Sequence, residues 1–294
     1  MLPCPPKGVS LADEIAMNEA LLASGAPISA MNTLRKHVSE IKGGRLAALA
    51  APARVTTLLV SDIPGDVAAF VASGPTVPDH STAQDALNVV ASYGLELPAS
   101  IIAHLNSDAA QAPDPADPRF LKNEVHIVAS AAVSLKAAQN AAPVNCVILS
   151  DSIEGEASEA AKMHAAIARE IASNDRPFAK PVLLLSGGET TVTLKGNGKG
   201  GRNSEFLLSF ALEIDGLDGI TCLAADTDGI DGSQNNAGGF ADGLTAQKIR
   251  AVGLDPAGML RNNDAWSALH AVGDLLITGP TGTNVNDFRA ILIT

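Results

Sequence analysis

Three apolar runs, Val125-His126-Ile127-Val128-Ala129, Val144-Asn145-Cys146-Val147-Ile148-Leu149 and Val182-Leu183-Leu184-Leu185, decide the fold class. Helices predicted at Ser130–Ala141 and Glu154–Ser173 separate them, so strand and helix alternate along the chain. That rhythm predicts an α/β architecture of two domains, with mostly parallel or mixed sheets covered by helices. Toward the N-terminus, Val55–Ser61 is a continuous β-branched and leucine run, which predicts a strand buried on both faces. Ahead of it, Ser10-Leu11-Ala12-Asp13 has the form of a capping box and opens a helix that Gly25 and Pro27 close. Ile28, Met31, Leu34 and Val38 predict a second helix. Asn106–Pro118 crowds Ala, Asp and prolines without apolar periodicity, and so divides the chain into residues 1–112 and 113–294. Toward the C-terminus the pattern predicts strands at Val182–Leu185 and Thr190–Leu194 on either side of Gly187-Gly188. A helix follows at Ser204–Ile214, then strands at Ile220–Ala225, Leu275–Thr278 and Phe288–Ile293.

Composition excludes several classes. The 294 residues carry 46% hydrophobic content, enough for a sizeable core, but only 3% aromatics, so Ala, Val, Leu and Ile must supply the packing. Twenty basic against 32 acidic residues give a net charge of −12. With no basic run, neither nucleic acid nor an anionic membrane is an expected partner. No apolar stretch approaches the roughly 20 residues of a membrane-spanning helix, and the first residues lack the form of a signal peptide, so a cytoplasmic location is expected. Cys4, Cys146 and Cys222 are too scattered for a zinc site or a disulfide framework. Oligomerisation is left open.

Glycine is concentrated late in the chain: 18 of the 26 lie between Gly187 and Gly282, where loops bring backbone close to something. In Lys195-Gly196-Asn197-Gly198-Lys199-Gly200-Gly201-Arg202-Asn203 the spacing satisfies G-x-G-x-x-G, with Asp215 near the position of a ribose-binding acid. The preceding Thr190–Leu194 alternates polar and apolar, unlike the buried first strand of a dinucleotide fold. Three cations before a helix predict a phosphate or carboxylate at its N-terminus. Asp226-Thr227-Asp228-Gly229-Ile230-Asp231-Gly232 follows a strand with three carboxylates, a set suited to Mg²⁺; Ala237 at the twelfth position excludes an EF-hand. Thr278–Asp287 reads equally as a ligand-lining loop or a hairpin. Ser39–Arg45 is a compact basic turn, with Asp62 and Asp66 after the next strand. No G-x-S-x-G or histidine-based triad is present. Oxyanion recognition with carboxylates is the kit of phosphoryl transfer.

These motifs, taken in order, resemble the glycerate 2-kinase family: Met31-Asn32, Arg35-Lys36-His37, Ser39 with Lys42–Leu46, Ser61-Asp62 with Gly65-Asp66, and Ser73–Asp79. Ser186–Val192, Gly200–Asn203, Thr227–Gly232 and Gly279–Asp287 continue the match through the family's C-terminal MOFRL region, here about 180–290. The resemblance implies ATP- and Mg²⁺-dependent phosphorylation of D-glycerate at its C2 hydroxyl, giving 2-phosphoglycerate. On it, Arg202, Lys42 and Asp228 are the expected catalytic residues. Substrate and nucleotide are expected at Ser39, Gly43, Gly44, Arg45, Gly187, Gly188, Glu189, Gly200, Gly201, Asn203, Thr281 and Asn284, and metal at Asp62 and Asp231. Leu2-Pro3-Cys4-Pro5 resembles the segment after a glycine turn of the family's first, Rossmann-like domain. About a hundred residues, including a family lysine, are therefore expected upstream, which leaves that domain incomplete and the activity of the chain in question. Two other readings stand beside this one: a nicotinamide-dependent hydroxypyruvate reductase resting on Gly196, Gly198, Gly201 and Asp215, and a chain that keeps the fold without activity.

Overall fold

Ser10 opens the first helix as its sequence predicts. In the computed structural model, which describes residues 3–78 and 80–294, the Asp13 amide donates to the Ser10 hydroxyl at 3.1 Å, and the Ser10 amide donates to Asp13 Oδ2 at 2.9 Å. The expectations touching Leu2 and Asp79 lie outside the described residues. The elements up to the second strand are α1 (Leu11–Ala23), α2 (Ile28–His37), α3 (Arg45–Ala50), β1 (Thr56–Val60), α4 (Ala83–Ser92), α5 (Ala99–Leu105) and β2 (Glu124–Ala129). A second capping box, Thr82 with Asp85, starts α4.

The chain divides into two units: residues up to Leu59 with Val67–Val128, and Val60–Asp66 with Ala129–Thr294. The first unit packs Met17, Leu21, Leu34, Val38, Ile101 and Leu105 into a buried helical core. Its strands β1 and β2 pair as a two-stranded sheet. Here the sequence expectation is corrected: β1 is not buried on both faces, for Leu58 is 66% exposed and Val60 47%. Two strands make too little sheet to bury either face. A β-branched run reports what a strand tolerates, not what covers it.

The second unit holds a six-stranded sheet in the order β3-β4-β8-β5-β6-β7. Its strands are β3 (Asn145–Glu156), β4 (Val182–Thr191), β5 (Ile220–Asp226), β6 (Gly238–Asp242), β7 (Leu275–Leu276) and β8 (Asp287–Ile293); the helices are α6 (Ala131–Ala141), α7 (Ala157–Asn174), α8 (Arg202–Glu213), α9 (Thr245–Ala251), α10 (Pro256–Arg261) and α11 (Ala265–Val272). Within this sheet the pair β3 and β4 is parallel, and β8 enters antiparallel between β4 and β5, which makes the sheet mixed. Ala157, Ala161, Ala165 and Ala168 give α7 a small-residue face, and Phe206 and Phe210 of α8 supply bulk to the same core. Burying each such phenylalanine contributes about 1.5–3 kcal/mol. The chain thus offsets its scarcity of aromatics with close helix approach.

Gly187-Gly188 does not interrupt β4, contrary to the two strands predicted there. One strand runs through both glycines, and Val192–Leu194 lie outside it. Gly188 has φ +129° opposite Ile153, and a Cβ there would overlap the Ile153 backbone. The glycines let β3 and β4 approach. Because β8 is antiparallel to its neighbours, its first residue, Asp287, stands opposite both Gly188 of β4 and Asp226 of β5. One end of the sheet therefore gathers Glu189, Asp226 and Asp287.

Candidate active site

Arg202, the first residue of α8, meets that sheet end. Its Nε donates to Asp287 Oδ1 at 2.7 Å, Nη2 to Asp226 Oδ2 at 2.6 Å and Nη1 to Glu189 Oε1 at 3.2 Å. Asn203 Nδ2 adds a bond to Asp287 Oδ1 at 2.8 Å. Burial works to discharge Arg202, but Asp287, Asp226 and Glu189 together outweigh it and raise its pKa. Burial pushes the Asp226 carboxyl up to about 6, with help from Asp228 and Asp287, against the attraction of Arg202. An open cleft of about 510 Å³ lies beside this network, lined by Glu154, Glu189, Thr190, Arg202 and Gly232 among others.

A stability test follows from Asp226. Its carboxyl has a pKa of 3.8 when unperturbed and about 6 in the fold. Between these values the native state keeps a proton that the unfolded chain has released, so this group's contribution to stability falls as pH rises and is level above about 6. Denaturant melts at intervals from about pH 4 to 7 should show a smaller decline across that window for Asp226→Asn than for the parent chain. Parallel profiles would contradict the assignment.

The anion expected at the α8 N-terminus is supplied by the chain itself. Asp231, fully buried, accepts from Asn203 N at 2.9 Å and Ser204 N at 2.8 Å, and also from the Ser204 hydroxyl. Gly201 makes room for it, since a Cβ there would overlap the Asp231 carboxylate. Gly200 (φ +156°) and Gly232 (φ +73°) bring the same two loops together. Gly196 and Gly198 lie against Asn262, whose carbonyl accepts from Gly198 N at 3.0 Å, and Asp215 pairs with Arg250. Thus the G-x-G-x-x-G spacing serves contacts of backbone with backbone and side chain. Asp231, expected at a metal, instead caps a helix with both oxygens engaged.

The loops after β5 and before β8 are stitched together. Thr281 Oγ1 donates to Thr227 O at 2.6 Å, Thr281 N donates to Asp228 O at 3.0 Å, and Thr227 N donates to Asn286 O at 3.1 Å. Asn284, exposed, accepts from Asn286 N at 2.9 Å. Asn286 Nδ2 reaches Asp62 O at 2.7 Å, so Asp62 and Asp228 hang from neighbouring points of one loop cluster. Asp228 is half-buried; its Oδ1 accepts from Ile230 N at 2.7 Å, and among the described residues Oδ2 has no protein donor.

The first unit holds the other expected residues. Ser39 Oγ accepts from the Ile41 and Lys42 amides. Gly43 N and Gly44 N donate to Ser73 O and Gly74 O at 3.1 and 2.7 Å. Gly44 takes φ +79° beneath Pro78. Lys42 is buried, its Nζ 3.8 Å from Glu14, and burial lowers its pKa, Arg35 lowering it further while Glu14 opposes. Arg45 directs its guanidinium to backbone carbonyls, at 2.7 Å from Lys36 O and 2.6 Å from Ala110 O, which marks it as a brace for this turn.

Mg²⁺ can be tested against these donors. Among the described residues no three His, Cys, Asp or Glu side chains form a ready cage. Mg²⁺ bound with phosphates needs only one or two carboxylates, keeping waters for the rest. Exposed Asp62 and the half-free Asp228 fit that requirement, and Asp231 does not. Sequence reasoning gave no role of their own to Asp287, Asn286 and Thr190, and offered Asp226 only as one of three carboxylates suited to Mg²⁺. A faint signal existed in Asn286-Asp287 opening a strand, and in asparagine's tolerance of the left-handed φ, here +65°.

Comparison with known proteins adds to this geometry. The chain is 44% identical to the D-glycerate 2-kinase of Thermotoga maritima, over 98% of its own length and 68% of that protein's. The chain belongs to the glycerate 2-kinase family. The family models described as "Domain of unknown function (DUF4147)" and "MOFRL family" match residues 1–106 and 182–287. A crystal structure of glycerate kinase from T. maritima superposes with a TM-score of 0.90 at 42% identity, covering 99% of the chain and 69% of that one. An Agrobacterium vitis protein provisionally named hydroxypyruvate reductase is 46% identical over the whole chain and 67% of its own length. The glycerate 2-kinase family therefore also includes relatives with a reductase name. Among the described residues, no helix is long and apolar enough to cross a membrane.

Proposed function

We propose that the chain transfers the γ-phosphoryl group of ATP to the C2 hydroxyl of D-glycerate, giving 2-phosphoglycerate and ADP. The observation that carries this reading is the Arg202 guanidinium held at the cleft by carboxylates on three strands. Its contact to half-exposed Glu189 is the longest of the three, and a ligand anion replaces that one most readily. Nη1 then binds the transferring phosphoryl group or the glycerate carboxylate, as a planar fork suits either. Asp228 Oδ2 takes the proton from the C2 hydroxyl; the C2 oxygen forms its bond to phosphorus as the bond to the β-phosphate oxygen breaks, and ADP leaves with that electron pair. Asp62 would help to hold the Mg²⁺ carried by the nucleotide, which would neutralise phosphate charge.

The reductase reading draws on the name of the A. vitis relative. Against it, Gly196 and Gly198 pack on Asn262, and Asp231 already accepts from the helix amides a pyrophosphate would need. Two assays run side by side separate the readings: ADP release with MgATP and D-glycerate, and NADH or NADPH absorbance with hydroxypyruvate. We expect ADP release and a flat absorbance trace. Consumption of NADH or NADPH without ADP release would reverse the assignment.

A further inference from the structure

Asp287 is fully enclosed and receives five donors: Arg202 Nε and Asn203 Nδ2 on Oδ1, and Thr190 N at 3.2 Å, Thr190 Oγ1 at 3.3 Å and Arg289 Nη2 at 2.5 Å on Oδ2. With both oxygens saturated, this carboxylate has no freedom to rotate. Arg289 lies behind it, wholly buried, donating also to Thr190 Oγ1 at 2.9 Å, with its guanidinium 5.0 Å from the Phe206 ring. Among the described residues its Nε and Nη1 have no hydrogen-bond partner. Leaving a charged group so poorly satisfied in a core is unfavourable unless its one strong contact matters.

We propose that Asp287 is the positioning residue for Arg202, and that Arg289 fixes Asp287 in turn. Two enclosed carboxylates, Asp287 on Nε and Asp226 on Nη2, define the plane of the Arg202 guanidinium. That leaves Nη1 as the edge presented to Glu189 and to a ligand. Any reaction at Arg202 inherits this orientation; the catalytic consequence rests on the reading of Arg202 given above, whereas the orientation itself does not.

The experiment reads both separately. In the full chain labelled with ¹⁵N, a hydrogen-bonded Arg202 Nε–H should give a slowly exchanging resonance, assigned by its disappearance in Arg202→Lys. Asp287→Asn should remove that resonance or shift it strongly upfield without any ligand present, and Asp226→Asn should retain it. An unchanged Arg202 resonance in Asp287→Asn overturns the proposal. Asp287→Asn should also lower kcat for D-glycerate by about 100-fold with KM changed less than about threefold. Loss of the resonance with unaltered kcat would uphold the positioning and sink the catalytic reading of Arg202. Should Asp287→Asn fail to fold, Thr190→Val decides. It removes one donor to Asp287 Oδ2 and the second acceptor of Arg289 without touching Arg202. A displaced Arg202 resonance supports the relay, and an unmoved one refutes it.

Discussion

Replacing Arg202 with lysine should lower ADP release with D-glycerate by about 100-fold or more while the chain stays folded. Lysine keeps the positive charge, but one ammonium cannot serve Asp287, Asp226 and Glu189 in the fixed geometry that the guanidinium spans. The alanine variant is a poorer probe. It would leave Asp226 and the enclosed Asp287 without their shared cation, and breaking a buried pair in this way costs about 3–5 kcal/mol. Loss of turnover would then be confounded with loss of fold. Turnover and thermal melting should be measured on the lysine variant together. Full turnover would remove Arg202 from the reaction, and a collapsed melting curve would make the network a structural one.

Asp231→Ala should destabilise the second unit by about 3 kcal/mol. The substitution removes the acceptor of two helix amides and a buried hydroxyl; a lost cap costs about 0.5–2 kcal/mol and each stranded buried donor about 1–3 kcal/mol. Gly201→Ala should act in the same direction, because its methyl group would displace the Asp231 carboxylate. Urea or guanidinium melts would give the difference directly. A change below about 0.5 kcal/mol for Asp231→Ala would return the residue to the ordinary range of surface substitutions and reopen it as a ligand to metal.

The two Asp-Gly pairs of one loop show where sequence reading runs out. Asp228 and Asp231 are chemically alike and three residues apart, and only tertiary contact distinguishes a half-free carboxylate from a buried helix cap. The strands at 145–149, 182–185, 220–225 and 288–293 were legible because burial on a sheet favours mostly apolar runs, even where one polar residue such as Arg289 interrupts them. Gly238–Asp242 was not, since Gly-Gly-Phe-Ala-Asp carries no such pattern, and the helices at 245–251, 256–261 and 265–272 are too short to show periodicity. Asp287 gains its meaning only when the last strand inserts between the fourth and fifth, an arrangement that no local pattern encodes. Some of the late glycines do mark close approach, as at Gly188, Gly201, Gly232 and Gly238, where the neighbour in the fold is other backbone or the Asp231 side chain; Gly253, Gly273, Gly279 and Gly282 instead face open space.

Phosphorus NMR of the chain incubated with MgATP and D-glycerate tests the central claim most directly, because it identifies the product as well as the transfer. The account predicts a new phosphate monoester signal split into a doublet by the single proton on C2, growing as the γ-phosphate signal of ATP declines. A triplet from a phosphate on the C3 methylene, or an ATP spectrum unaltered by D-glycerate, would contradict it.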